Sequence, residues 1–276
     1  MYKYVFGPVP SRRLGISLGV DLVKEKRCNF NCVYCECGST EKYTEKRDHY
    51  VDLEQLKKEV SEVLKRVTPD YVTFSGSGEP TFNLDLGYIS KWVKDNYKVK
   101  IALITNSSLL YRDEVIEEVL NFDLVMPTLN AVTEDIFQKI NRTSKETNVE
   151  KVKIGLKKLS EKYKGEIYLE FFIIEGINDL KEELDRYIEF LKEIKFTKLQ
   201  LNSLARKGAE DWVKPASRKR LEEIKEYFEM GGICNIEIIG ECSEEKDKLE
   251  IDKNLIKNML EKRDYTEEEL SKIYKK

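Results

Sequence analysis

Histidine is nearly absent from this chain: His49 is the only one among 276 residues. Mechanisms that need several imidazoles are therefore excluded, and a lone histidine is more often a surface residue than a ligand. No apolar run is long enough to span a bilayer, and residues 1–6 carry no apolar signal segment. A cytoplasmic protein with no membrane partner is expected. An excess of positive charge is also missing. The net charge of −3 excludes a uniformly basic surface for non-specific nucleic-acid binding and leaves only a local patch. No internal repeat or low-complexity linker divides the chain, and its length suits one α/β unit. A chain this size buries enough apolar surface to need no disulfides, so its six cysteines should be reduced and free for chemistry.

Three of them stand together in Cys28-Asn29-Phe30-Asn31-Cys32-Val33-Tyr34-Cys35, a CxxxCxxC spacing on one short loop. Three thiolates can hold three irons of a [4Fe–4S] cube and leave the fourth iron without a protein ligand, whereas electron carriers fill that place with a fourth cysteine. Two other readings stay open. The thiols could belong to a zinc site with His49 as a distant ligand, although zinc ligands usually come as two CxxC-like pairs. Cys37 could close a four-thiolate cluster, although only Glu36 separates it from Cys35.

The rest alternates between short apolar strands and amphipathic helices. Ile16–Leu22 reads as a first strand, preceded by a Pro/Gly-punctuated turn over 7–15. The adjacent Arg12 and Arg13 in that turn could clamp a carboxylate or phosphate, or simply pair at the surface. Asp52 starts a helix, with Gln55 at capping-box spacing. Strands follow at 71–74, 99–105, 123–128, 167–174 and 198–204, with helices at 112–120, 133–140, 149–163, 180–194 and 217–230. About six βα steps result, two short of a closed barrel. The expected fold is α/β, a partial (β/α)6 TIM-like barrel over 1–232. Residues 1–15 form an N-terminal extension, and 233–276 a short tail of one strand and two helices with Thr266 as a cap.

Active sites of such barrels sit at the C-terminal ends of the strands. There the sequence places Ser75-Gly76-Ser77-Gly78-Glu79-Pro80-Thr81, then Asn106, Thr128, Asn130, Glu170 and Asn202. Polar residues ending apolar strands cost stability unless paired, so several at one mouth suggest a polar ligand; capping of the next loop is the alternative for each. After the last of these strands, 205–220 mixes Trp212 with several cations. That composition suits phosphates and stacked bases, or a solvated loop. Cys37, Cys234 and Cys242 could hold a second cluster, though no fourth ligand is evident.

The cysteine spacing with Tyr34 before the third thiol resembles the signature of the radical S-adenosylmethionine (SAM) enzymes. The turn from Gly76 to Glu79 looks like their GGEP-type motif, from which it departs by placing Ser77 between the glycines. The stretches 6–15, 78–81, 103–106 and 176–179 are similar to a microbial group of iron–sulfur oxidoreductases related to wyosine (tRNA) synthases. The resemblance implies a [4Fe–4S] cluster on Cys28, Cys32 and Cys35 and reductive cleavage of SAM to a 5′-deoxyadenosyl radical under anaerobic conditions. It further implies SAM contacts from Tyr34, Gly76, Ser77, Gly78, Glu79, Asn106, Thr128, Asn130 and Asn202. An external flavodoxin or ferredoxin would supply the electron, and a tRNA nucleotide or other nucleotide is the candidate substrate. A peptide or protein substrate is the alternative, and no residue is identified for the step after hydrogen abstraction.

Overall fold

The computed structural model describes residues 2–23, 25–40 and 43–240. The expected tail helices, Thr266 and Cys242 lie outside them. One eight-stranded sheet runs β1 (Val5–Ser11), β2 (Gly15–Asp21), β3 (Tyr71–Ser75), β4 (Lys100–Thr105), β5 (Leu124–Pro127), β6 (Glu166–Phe172), β7 (Lys198–Asn202) and β8 (Ile236–Ile238), in chain order. Every neighbouring pair from β2 to β8 is parallel, and only β1 is antiparallel, against β2. Helices α1 (Leu53–Leu64), α2 (Leu86–Asn96), α3 (Asp113–Val119), α4 (Glu134–Asn141), α5 (Val149–Lys162), α6 (Lys181–Leu191) and α7 (Arg218–Met230) make the crossovers. The result is an open α/β barrel of the expected partial kind.

Three details differ from expectation. The stretch expected as a turn is mostly β1; its prolines are tolerated because β1 is an edge strand, and the register slips between Phe6 and Val9. Helix α2 occupies a stretch for which no element was expected. Strand β8 pairs with β7 from Leu199↔Ile236 onward, so it adds a seventh parallel strand and the expected boundary at 232/233 falls inside the sheet.

Alternation along the strands sets up the site. Leu18, Val20, Val72, Phe74, Ile101, Leu103, Leu169, Phe171, Leu199 and Leu201 are fully buried in one core with the apolar stripes of the helices. The intervening positions point the other way, because successive strand residues face opposite sides. These include Ser17, Thr73, Ser75, Glu170 and Asn202, which line an internal chamber. Helix starts are fixed by side chains. Asp52 accepts from the Gln55 amide at 3.0 Å, Asn148 from Lys151 and Ser217 from Arg220. The reciprocal half of the expected capping box is absent: the Asp52 amide donates instead to Tyr4 Oη, and Gln55 Nε2 turns to Glu59.

Candidate active site

The loop that carries the cysteines hangs on the end of α4. The amides of Asn31 and Val33 donate to the carbonyls of Asn141 and Ile140, each at 2.9 Å, and so satisfy acceptors that a helix C-terminus leaves open. Thr40 closes the loop, its amide donating to Asn31 Oδ1 and its hydroxyl to the Phe30 carbonyl. Within this frame the half-buried thiols of Cys28, Cys32 and Cys35 line one cavity of about 210 Å³. Tyr34, Gly76, Ser77, Gly78, Glu79, Asn106 and Thr128 form its other walls, together with Glu170.

The glycine turn needs its glycines. Gly76 has φ +138°, and a Cβ there would run into the Asp21 carboxylate. A Cβ on Gly78 would collide with the Arg27 carbonyl. Asp21, at the end of β2, fixes the turn by accepting from the Ser77 hydroxyl at 2.8 Å and from its amide at 3.3 Å. Glu79 is buried and ties two strand ends together. Its Oε1 accepts from the Thr81 amide (3.1 Å), the Thr81 hydroxyl (2.7 Å) and the Thr105 hydroxyl (2.7 Å), and its Oε2 from the Asn106 amide (2.7 Å). Burial raises the carboxyl pKa, and these four bonds oppose the rise. Asn106 continues the chain of contacts, its Nδ2 donating to Cys28 Sγ at 3.5 Å and to Asn29 Oδ1 at 3.1 Å.

Two expected contacts are elsewhere. Asn130 is buried outside the cavity wall, its amide donating to Tyr34 Oη (2.6 Å) and Asn141 Oδ1 (3.3 Å) and its Oδ1 accepting from the Phe172 amide (2.9 Å). Asn202 lines a neighbouring chamber and not the thiol cavity. Tyr34 borders both spaces, but Phe172 already stacks on its ring at 4.0 Å. His49 is exposed and hydrogen-bonds to Asp85 at 2.8 Å, away from the cavity. Cys37 is exposed and outside the cavity wall, bonded toward the Gly76 carbonyl and Cys35. Cys234 is exposed too.

The donor set fits an anionic cluster. Burial pushes the Cys28 thiol up to about 12 and the Cys32 thiol well above its ordinary value, so neither ionises readily without a bound cation. Cys35 is held down at about 6 by the Cys37 hydrogen bond, with the Lys26 ammonium adding against burial. The Lys26 Nζ is itself buried in this wall, beside the Cys35 thiol. A buried ammonium beside three thiols suits a negatively charged guest. His49, the distant ligand of the zinc alternative, does not line this cavity. Lys26, Asp21 and Asn29 were not among the expected site residues. Asp21 could have been found from its place at the end of the first parallel strand, where the other site residues gather.

The loop after β7 packs over the cysteine loop. The Glu210 amide donates to the Val33 carbonyl at 3.0 Å, Arg142 pairs with Glu210, and Arg206 pairs with Glu36 at 3.3 Å. Lys207 pairs with Asp211, Arg218 with Glu222 and Arg220 with Asp179, and Trp212 is 49% exposed.

The model of the radical SAM superfamily matches residues 25–191. A UPF0026 protein of Methanocaldococcus jannaschii is 37% identical over 239 residues, covering 85% of this chain and 74% of that protein. A protein of Brachyspira hyodysenteriae named GTPase Obg is 39% identical over 237 residues; the match covers 86% of this chain but only 35% of that longer protein. Among solved structures, TYW1 with a lysine-pyruvate adduct superposes with a TM-score of 0.57 at 18% identity, covering 82% of this chain and 76% of that one, and so shares the fold.

Proposed function

This chain belongs to the radical SAM superfamily, and on that premise we propose that it is an enzyme that cleaves SAM reductively and abstracts hydrogen from a substrate in the barrel. The cofactors of the family are SAM and a [4Fe–4S] cluster. When bound, they supply one-electron cleavage of the sulfonium bond and a 5′-deoxyadenosyl radical. One observation carries the reading: three half-buried thiols, the buried Lys26 ammonium and the 76–79 glycine turn all line a single cavity. In this reading Cys28, Cys32 and Cys35 hold the cluster, and Lys26 offsets its negative charge. The 76–79 turn would hold the amino end of SAM, with the Glu79 carboxylate, already engaged by four donors, bracing the turn. Asn106 and Thr128 complete the cofactor wall. Asp21 and Glu79 position the turn. An external flavodoxin or ferredoxin supplies the electron.

A tRNA nucleotide is the proposed substrate. Trp212 favours it, because this ring offers a stacking surface on the loop that covers the cysteines. The pairing of most cations on that loop makes Trp212, and not a basic shelf, its main feature.

The test is anaerobic reconstitution with iron and sulfide, then dithionite and SAM. Wild type should form 5′-deoxyadenosine, and Cys32→Ala should stay at background. No product from wild type carrying a full complement of iron would sink the proposal.

A further inference from the structure

Beyond the thiol cavity lies a second chamber of about 260 Å³, and Tyr34, Arg13 and Glu170 border both. Its charged walls are Arg12, Arg13, Arg206, Glu36 and Glu170. The carboxylates are already engaged: Arg13 pairs with Glu170, and Arg206 with Glu36 at 3.3 Å. Arg12 is left over. It is half-buried, lines the chamber, and makes no hydrogen bond or ion pair with any described residue. Charged groups taken out of water are ordinarily paired, because an unpaired one forfeits its hydration without return. A guanidinium offers a planar fork of donors that matches a carboxylate or phosphate with two parallel bonds. The remaining lining agrees, since Ser11, Ser17 and Thr73 bring hydroxyls to the same walls.

Resting on the reading of the chain as a SAM-cleaving enzyme, we propose that this chamber takes a substrate bearing an oxyanion, a carboxylate or a phosphate, and that Arg12 receives it. The chamber is at the small end of ligand pockets, which run from about 300 Å³ upward, so it admits a small acid or one terminal group of something larger. Burial lowers the Arg12 pKa, and Arg13 and Arg206 lower it further against the pull of Glu36 and Glu170. A bound anion would reverse that trend. The geometry also assigns different tasks to the two neighbouring arginines: Arg13 fixes Glu170 at the border of the two spaces, while Arg12 stays available.

The experiment uses the full chain, reconstituted anaerobically with SAM present, and ligand-detected NMR with acetate and inorganic phosphate as separate probes. Wild type should bind at least one of them. Arg12→Ala should weaken that binding roughly tenfold or more, and Arg12→Lys should restore part of it, as expected for losing and then regaining a charge-assisted contact. Binding of acetate alone identifies a carboxylate substrate, and binding of phosphate alone a phosphorylated one. Should wild type bind neither probe, or Arg12→Ala bind as well as wild type, the inference is overturned. If Arg12→Ala does not fold, the inference stands or falls on whether wild type binds and whether Arg12→Lys binds more weakly. 5′-Deoxyadenosine formation, measured on the same wild-type sample, reports separately on the SAM reading. Product without anion binding overturns the anion site alone, and anion binding without product overturns the SAM reading alone.

Discussion

On β3, Val72 and Phe74 are fully buried against the helices, while the residues between and after them, Thr73 and Ser75, line the chamber. The same contrast repeats on β6, where Leu169 and Phe171 join the core and Glu170 borders both cavities. Outward positions derive their stability from apolar area removed from water, a term that needs no particular partner. Inward positions carry polar groups that are made tolerable by specific partners, as Ser17 and Thr73 are by each other at 2.6 Å. Outward residues therefore hold the fold, and inward residues hold the site.

The largest test of that contrast is Phe74→Ala. It should destabilise the protein by about 3–5 kcal/mol in urea unfolding, as loss of a buried aromatic ring does. A loss below about 1 kcal/mol would break the assignment of the outer face as the main support. Glu79→Gln should come next, at about 1–3 kcal/mol, since a carboxamide NH₂ must face one of the donors now served by a carboxylate. Glu79 lies in the turn after β3 and carries its stability through bonds and not area, and an unchanged melting curve would contradict that. Thr73→Val keeps the volume and removes one hydroxyl, so its cost should be about 1 kcal/mol, well below that of its neighbour Phe74. The smallest effect concerns pH. Hydrogen bonding to Asp85 raises the His49 pKa, so its contribution is complete below the unfolded value and fades as pH rises through the higher folded value. Melting temperatures of wild type should fall slightly over that window, just above about pH 6.5, and His49→Asn should remove the slope. A slope that survives the substitution assigns it to another group.

Much of this architecture is legible in the order of residues, for physical reasons that differ by region. Strands β2 to β7 and most helices announce themselves because one face of each must be apolar, and that periodicity is local. The edge strand β1 is hidden by Pro8 and Pro10, which read as turn signals and are tolerated only where an edge leaves N–H positions unpaired. The three thiols are visible because their spacing lies within eight residues. Their supports are not. Asp21 reaches Ser77 across 56 positions, and Asn106 reaches Cys28 across 78, so neither contact leaves a local pattern. Asn130 shows what a strand end alone leaves open: a polar residue there looks like a ligand contact, and in the fold its bonds go to Tyr34, Asn141 and the Phe172 amide. Lys26 is invisible in the sequence because a lysine near cysteines is ordinary in a lysine-rich chain, and only burial of its Nζ makes it informative.

Electron paramagnetic resonance of the reduced cluster, recorded before and after adding SAM, tests the central claim most directly. If Cys28, Cys32 and Cys35 leave one iron for an outside ligand, the signal should shift when SAM is added. A spectrum that SAM leaves untouched, in protein carrying a complete cluster, would contradict it.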